Sequence, residues 1–230
     1  MSYLTQKQAQ DIDQELFNEY KFSVDQLMEL AGLSCASAIS SIYNDKNKFL
    51  KCLVVAGGGN NGGDGLVCAR HLKMFGYEPT VFYPKRTDKE LYNNLVKQCE
   101  KMDIDILDKL ENNNKYSDYH LIVDAIFGFG FNGEIRQPYA DILKEMKKVE
   151  KQIPIISIDV PSGWNVESGP DNDSSLEPEC VISLTAPKTC MKHFKGKYHF
   201  IGGRFVPDSL QKKYNLVLPK YSGCEQFVKV

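Results

Sequence analysis

The sequence has one tryptophan, no Cys-x-x-Cys pair and no apolar run near the roughly 18 residues that a membrane span needs. Its seven cysteines are an odd number and stand singly (Cys35, Cys52, Cys68, Cys99, Cys180, Cys190, Cys224). That argues against a zinc ribbon and a disulfide framework, and predicts reduced thiols in a reducing compartment. An excess of one charge is missing too. With 28 Lys and Arg against 30 Asp and Glu, the net charge of -2 leaves no footprint for nucleic acid or an anionic membrane. The opening "MSYLTQKQAQDIDQELFNEY" lacks both the apolar core of a signal peptide and the Arg-rich composition of a transit peptide. The expectation is a cytoplasmic protein, with mitochondria as a second compartment. There is no repeat and no low-complexity tract, and 230 residues at 42% hydrophobic suffice for one sizeable core.

Two helical patterns come first. Ala9, Ile12, Leu16 and Tyr20 recur at helical spacing, and Ser23 with Gln26 forms a capping box before a second helix that runs to about Tyr43. Phe22 and Leu27 stand where a hydrophobic staple would. From Cys52 onward, short apolar strands alternate with amphipathic helices: "CLVVAG", "PTVFYP", "HLIVDAIFG", "IPIISIDVPSG", "CVISLTAPK" and "YHFIGGRFVP" are the strands. Gly76 is expected to stop the first interleaved helix and Pro138 to open the third. Strands apolar throughout and joined by helices predict a doubly wound, mostly parallel α/β sheet of Rossmann-like type with helices on both faces. Residues 1–45 read as a helical extension and 51–230 as the core of one domain. Ligands of such sheets sit at the carboxyl ends of the strands where the order reverses, which selects the loops after Val55, Val123, Ile158 and Leu184.

The first of these loops, "AGGGNNGGDG", has six glycines between Gly57 and Gly65. It satisfies GxGxxG at Gly57, Gly59 and Gly62, yet the next strand ends "VFYPKR", with Lys85 and Arg86 where a ribose-binding carboxylate would stand. It also lacks the Lys-Ser/Thr of a P-loop. A tight turn that needs positive φ is the plain reading, but six glycines exceed a turn's needs and predict a ligand loop. Asn60, Asn61 and Asp64 add oxygens, which suit hydroxyls, a carboxamide or a hard cation. Asp124, Asp159 and Lys188 then close three other strands, with the glycine- and aromatic-rich "AIFGFGFNGE" after Asp124. One aspartate at a strand end is commonly a brace. Two aspartates and a lysine at different strand ends beside a glycine loop predict a site. No Ser/His/Asp or Cys/His arrangement stands out, and the four histidines read as structural.

"QLMELAG", "AGGGNNGGDGLVCARHL", "VDAIFGFG", "SIDVPSG" and "SLTAPK", in that order, resemble the NAD(P)H-hydrate epimerases in their single-domain eukaryotic form. The resemblance spans essentially the whole chain. It implies interconversion of the R and S epimers of NADH and NADPH hydrated at C6, feeding a partner dehydratase that acts on the S form. By position it implies substrate loops at Asn60, Asn61, Gly62, Gly63 and Asp64 and at Gly128, Phe129, Gly130, Phe131, Asn132, Gly133 and Glu134. Asp159 is then a substrate contact, and one potassium ion is held by Asn61, Asp124 and Ser162. It also implies a homodimer, for which the apolar Leu27, Met28, Leu30, Leu33 and Ile39 around the second helix offer a physical motive. The substrate is a hemiaminal, so epimerisation needs acid–base help at one oxygen and no redox group. Asp159 is the expected acid–base residue. Lys188 would supply a proton or electrostatic support, or pair with Asp159. A non-catalytic binding scaffold of the same fold is the alternative. A dehydrogenase is disfavoured by the missing ribose carboxylate.

Overall fold

The computed structural model describes residues 1–110, 115–171 and 175–230; part of the acidic loop 165–179, expected to be variable surface, therefore lies outside the described residues. Helix α1 (Gln6–Asn18) opens on a capping box of Thr5 and Gln8, and α2 (Val24–Ile42) on the expected one of Ser23 and Gln26. Each box satisfies two N–H groups that the first turn would leave without acceptors. The chain then alternates β1 (Lys51–Ala56), α3 (Asn60–Met74), β2 (Glu78–Phe82), α4 (Glu90–Lys101), β3 (Asp105–Leu107), β4 (Leu121–Ala125), α5 (Tyr139–Val149), β5 (Ile155–Ile158) and β6 (Cys180–Leu184). Strand β7 (Tyr198–Gly202), helix α6 (Asp208–Lys213) and β8 (Phe227–Lys229) complete it. As expected, Gly76 ends α3 in a left-handed conformation at φ +85°, and Pro138 stands immediately before α5.

The strands lie in the order β3-β2-β1-β4-β5-β6-β7-β8, all parallel except the last pair. The order reverses between β1 and β4, the position where open α/β sheets form a crevice. Alternate residues of one strand feed two cores. Cys52 and Val54 join the cluster under α2, α3 and α4, while Leu53 and Val55 join the cluster under α5. This double burial is why the strands read as apolar throughout. A third cluster sets α1 over the carboxyl edge of the sheet: Leu4, Ala9, Ile12 and Leu16 pack with Leu27, Ala186 and Leu210. Leu4 also pairs with the segment beyond β6, its N–H donating to the Pro187 carbonyl at 2.8 Å and its carbonyl accepting from Thr189 N at 2.9 Å.

Several strand ends differ from expectation. Asp124 lies within β4, paired across to Val55 and Ser157, and the strand continues to Ala125. Lys188 stands four residues beyond the end of β6, immediately before a short 3-10 turn (Thr189–His193). β3 and the antiparallel edge strand β8 have no counterpart in the sequence reading, because three residues are too few to show a period. The apolar surplus of α2 is absorbed inside the chain. Leu27 is buried in the α1 cluster, Met28 and Ile39 in the α3 cluster, and Leu30 and Leu33 are half-buried. The physical motive for a dimer is thereby withdrawn. Six cysteines are buried and only Cys224 is exposed, all as free thiols.

Candidate active site

A cavity of about 550 Å³ opens at the carboxyl ends of β1, β4, β5 and β6. Its floor is the start of α3 with Gly58 and Gly59, and its sides carry the segment Ile126–Phe131, Asp159, Thr185 and Lys188. Asp13 and Phe17 of α1, with Leu27, Met28 and Phe205, close the remainder. By helix geometry the first N–H groups of α3 have no acceptor within the helix, so this floor presents donors to an anion such as a diphosphate.

The glycines of the floor serve packing. None of the six between Gly57 and Gly65 has positive φ. A Cβ on Gly57 would lie 1.9 Å from the Ile126 carbonyl oxygen, and one on Gly62 would lie 1.8 Å from the Gly57 carbonyl oxygen. These two residues let α3 and the turn after β4 meet backbone to backbone at the switch point. Gly59, by contrast, has nothing within 4 Å of its added Cβ. The expectation that the whole loop was bare for a ligand is therefore corrected: of its six glycines only Gly58 and Gly59 line the cavity.

Asp159 and Lys188 form the polar centre, 2% and 1% exposed. Lys188 Nζ donates to Asp159 Oδ1 at 2.5 Å, to the Leu184 carbonyl at 2.8 Å and to the Ala186 carbonyl at 3.3 Å. Its three protons are thus occupied, which leaves the lysine as an electrostatic partner and removes it as a ready proton donor. Asp159 Oδ2 accepts from Phe129 N at 2.9 Å, so the carboxylate also braces the glycine–aromatic loop. The brace and the site are one arrangement. Phe129 in turn lays its ring 4.9 Å from Lys188 Nζ, and Gln6 of α1 donates to the carbonyls of Phe129 at 2.7 Å and Phe131 at 3.3 Å. Asp159 (φ +70°) and Thr185 (φ +68°) both sit in the left-handed region. For a β-branched residue that is a costly conformation, and strain of this kind concentrates at functional sites.

Behind this wall, Asp124 is wholly buried and fully bonded. Its carboxylate accepts from Ser162 Oγ at 2.5 Å, Ser162 N at 2.8 Å, Ser157 Oγ at 2.7 Å and Ile126 N at 3.4 Å. Burial pushes its pKa up, against the opposing pull of the serine and backbone donors. Ser162 Oγ accepts from Phe127 N at 2.9 Å, so the two residues lock the turns after β4 and β5 together. Asn61, 8% exposed, lies where its Oδ1 would be 3.1 Å from a Cβ on Gly128, and its Nδ2 is buried without a partner among the described residues.

The expected substrate residues therefore divide. Asn60, Asn61, Asp64, Gly128, Phe129, Gly130, Phe131 and Asp159 line the cavity, as does Lys188. Gly62 and Gly63 are buried within α3, whereas Asn132, Gly133 and Glu134 are exposed and outside the lining. The sequence reading missed Asp13, Phe17 and Gln6. The available signal was slight: Asp13 directly follows the buried Ile12, and Phe17 follows Leu16, on the flank of the apolar stripe.

Comparison with known proteins agrees with this architecture. The crystal structure of the yeast protein YNL200c (ynu0) is 40% identical, covers 100% of this chain and 100% of its own, and superposes with a TM-score of 0.94. A Thermotoga maritima structure, named provisionally as an alcohol dehydrogenase, is 16% identical over 63% of this chain and 36% of its own, at a TM-score of 0.33, too little to bear on this fold. The family model described as "YjeF-related protein N-terminus" matches residues 24–190, and the chain belongs to that family, the one in which the NAD(P)H-hydrate epimerases it resembles are found.

Proposed function

We propose that this protein is an isomerase that interconverts the R and S epimers of C6-hydrated NADH and NADPH. The observation that carries the reading is the buried Asp159–Lys188 pair at the switch-point cavity, in a chain of this family. The C6 hydroxyl of the substrate leaves when the ring nitrogen lone pair forms an iminium, or it loses its proton and becomes an aldehyde oxygen when the C6–N bond breaks and the ring opens. Either route needs a positioned proton-transfer group, and Asp159 is that group. Lys188, with its protons occupied, holds Asp159 in place. The donors at the start of α3 suit the diphosphate, and Phe129 and Phe131 offer faces to the ring system.

Asn61, Asp124 and Ser162 would hold a potassium ion. They fit in chemistry, since each offers an oxygen, and Asn61 has a buried amide end with no partner among the described residues that a half-turn about its Cβ–Cγ bond would replace by oxygen. Ser162 would turn its hydroxyl from donor to ligand beside Asp124. Held by these residues, such an ion would supply fixed positive charge. The protein acts as a homodimer beside an S-specific dehydratase, in the cytoplasm and with a mitochondrial pool. No helix among the described residues is long and apolar enough to cross a membrane.

The test is incubation of the pure protein with each purified R hydrate, followed by chiral chromatography with the spontaneous rate subtracted. Both hydrates should epimerise, because Lys85 and Arg86 are exposed and outside the cavity lining, so no carboxylate of that strand end repels a 2′-phosphate. No rate above background would make the scaffold reading the better one.

A further inference from the structure

An epimerase must act at both faces of one carbon. Asp159 is fixed by Lys188, Phe129 N and Leu184 N on the wall formed by the strand ends, and from there it addresses one face. A substrate that does not turn over within the site needs a second group from another wall.

Helix α1 carries one. Asp13 lines the cavity, and among the described residues no hydrogen-bond donor reaches its carboxylate. Phe17, one turn later, lines the cavity beside it. The ionisable groups that act on Asp13 across this space are Lys188 and Asp159, and Asp64 at the start of α3 feels all three. Asp64 is 8% exposed and likewise has no donor among the described residues. A carboxylate on an amphipathic helix is commonly a solvated flank or a brace. Asp13 is half-buried and braces nothing, and the desolvation of its carboxyl among Phe17 and the cavity walls raises its pKa to about 6 with no structural return. That combination is characteristic of functional carboxyls.

We propose that Asp13 is a second acid–base residue of the epimerisation, serving the face of the substrate ring that Asp159 does not; this rests on the epimerase reading above. In one direction protonated Asp13 gives its proton to the C6 hydroxyl as the C6–O bond breaks. The bonding pair leaves with oxygen as water, and the ring nitrogen lone pair closes a C=N bond to give the iminium. Water then adds to the other face of C6, the π pair returns to nitrogen, and the proton that the added water sheds goes to the Asp159 carboxylate. Water bound to a cationic carbon is strongly acidic, so an ion-paired carboxylate is base enough. The reverse direction exchanges the two roles, and proton exchange with solvent resets them. Nothing is oxidised or reduced.

The test is Asp13→Asn in the full chain, assayed on the R hydrate of NADH by chiral chromatography with background subtracted. The expected result is a loss of about 100-fold or more in kcat with KM within a few-fold. The fall in wild-type kcat/KM as pH rises through about 6 should vanish in the variant. Asp13→Glu should recover part of the activity, and the melting temperature of Asp13→Asn should not fall. Activity within three-fold of wild type with an unchanged pH profile overturns the proposal. So does a loss of activity that tracks a fallen melting temperature, which makes Asp13 structural. An inactive wild type overturns the epimerase reading with it, whereas an active wild type beside an unimpaired variant overturns this inference alone.

Discussion

Asp159→Asn preserves the size of the side chain and one oxygen for Phe129 N, but it breaks the charge pairing with Lys188 and cannot carry a proton at neutral pH. Turnover should fall about 100-fold or more with a smaller change in binding. Leaving Lys188 buried and unpaired should also lower stability by roughly 3 kcal/mol, read from urea denaturation. Asp13 behaves oppositely. Its pKa is raised in the folded protein from 3.8 to about 6, so the native state holds more protons than the unfolded chain between those values. Stability from this group is full below the unfolded pKa and is lost as pH rises through the folded one, a loss on the order of 3 kcal/mol. Asp13→Asn should therefore melt higher than wild type at pH 7.5, and the gap should close near pH 4. A gap independent of pH would show that the carboxyl titrates normally. Among the glycines, Gly62→Ala forces a methyl against the Gly57 carbonyl and should cost more than about 3 kcal/mol or abolish folding, while Gly59→Ala in open space should change stability by less than about 1 kcal/mol. Equal costs for both would refute the packing account.

The loops after β4, β5 and β6 act as one unit, because Asp124, Ser162 and Asp159 bond from each strand end to the next. A cation among them should raise the melting temperature as its concentration rises. Replacing potassium by a bulky organic cation of equal ionic strength should lower it for the wild type and leave Asp124→Ala unmoved. A wild type indifferent to the exchange would remove the ion from the account. These loops were readable from sequence because their chemistry is local: Asp124, Asp159 and the Asn-Asn-Gly-Gly-Asp run each stand within a few residues of a strand end, and strand ends show in the hydrophobic pattern. What α1 contributes was not readable. Asp13 and Phe17 look like any flank of an amphipathic helix until Leu4, Ile12 and Leu16 dock it on Ala186 and Leu210, contacts nearly 200 residues apart in sequence. The purpose of the glycines was misread for the same reason, since what Gly57 and Gly62 touch is a backbone more than 60 residues away in one case and a neighbouring turn in the other.

At the scale of the molecule, the dimer now rests on the family resemblance alone, for α2 buries its apolar surplus internally. Light scattering at micromolar concentration should give twice 26.1 kDa, and a mass of 26.1 kDa would end that expectation. The cavity itself is divided between unequal partners. Beneath its floor Gly57 and Gly62 close backbone on backbone, and there even one added methyl has no room. Its roof is a single helix, held by side chains and by the Leu4 pairing, and it lies outside the matched segment 24–190. Variation can therefore enter most freely from the side of α1. Any lineage, or any laboratory selection, that retunes this cavity for a different substrate has α1 as its adjustable surface, with mutational libraries at position 17 and with Gly57 and Gly62 left unchanged.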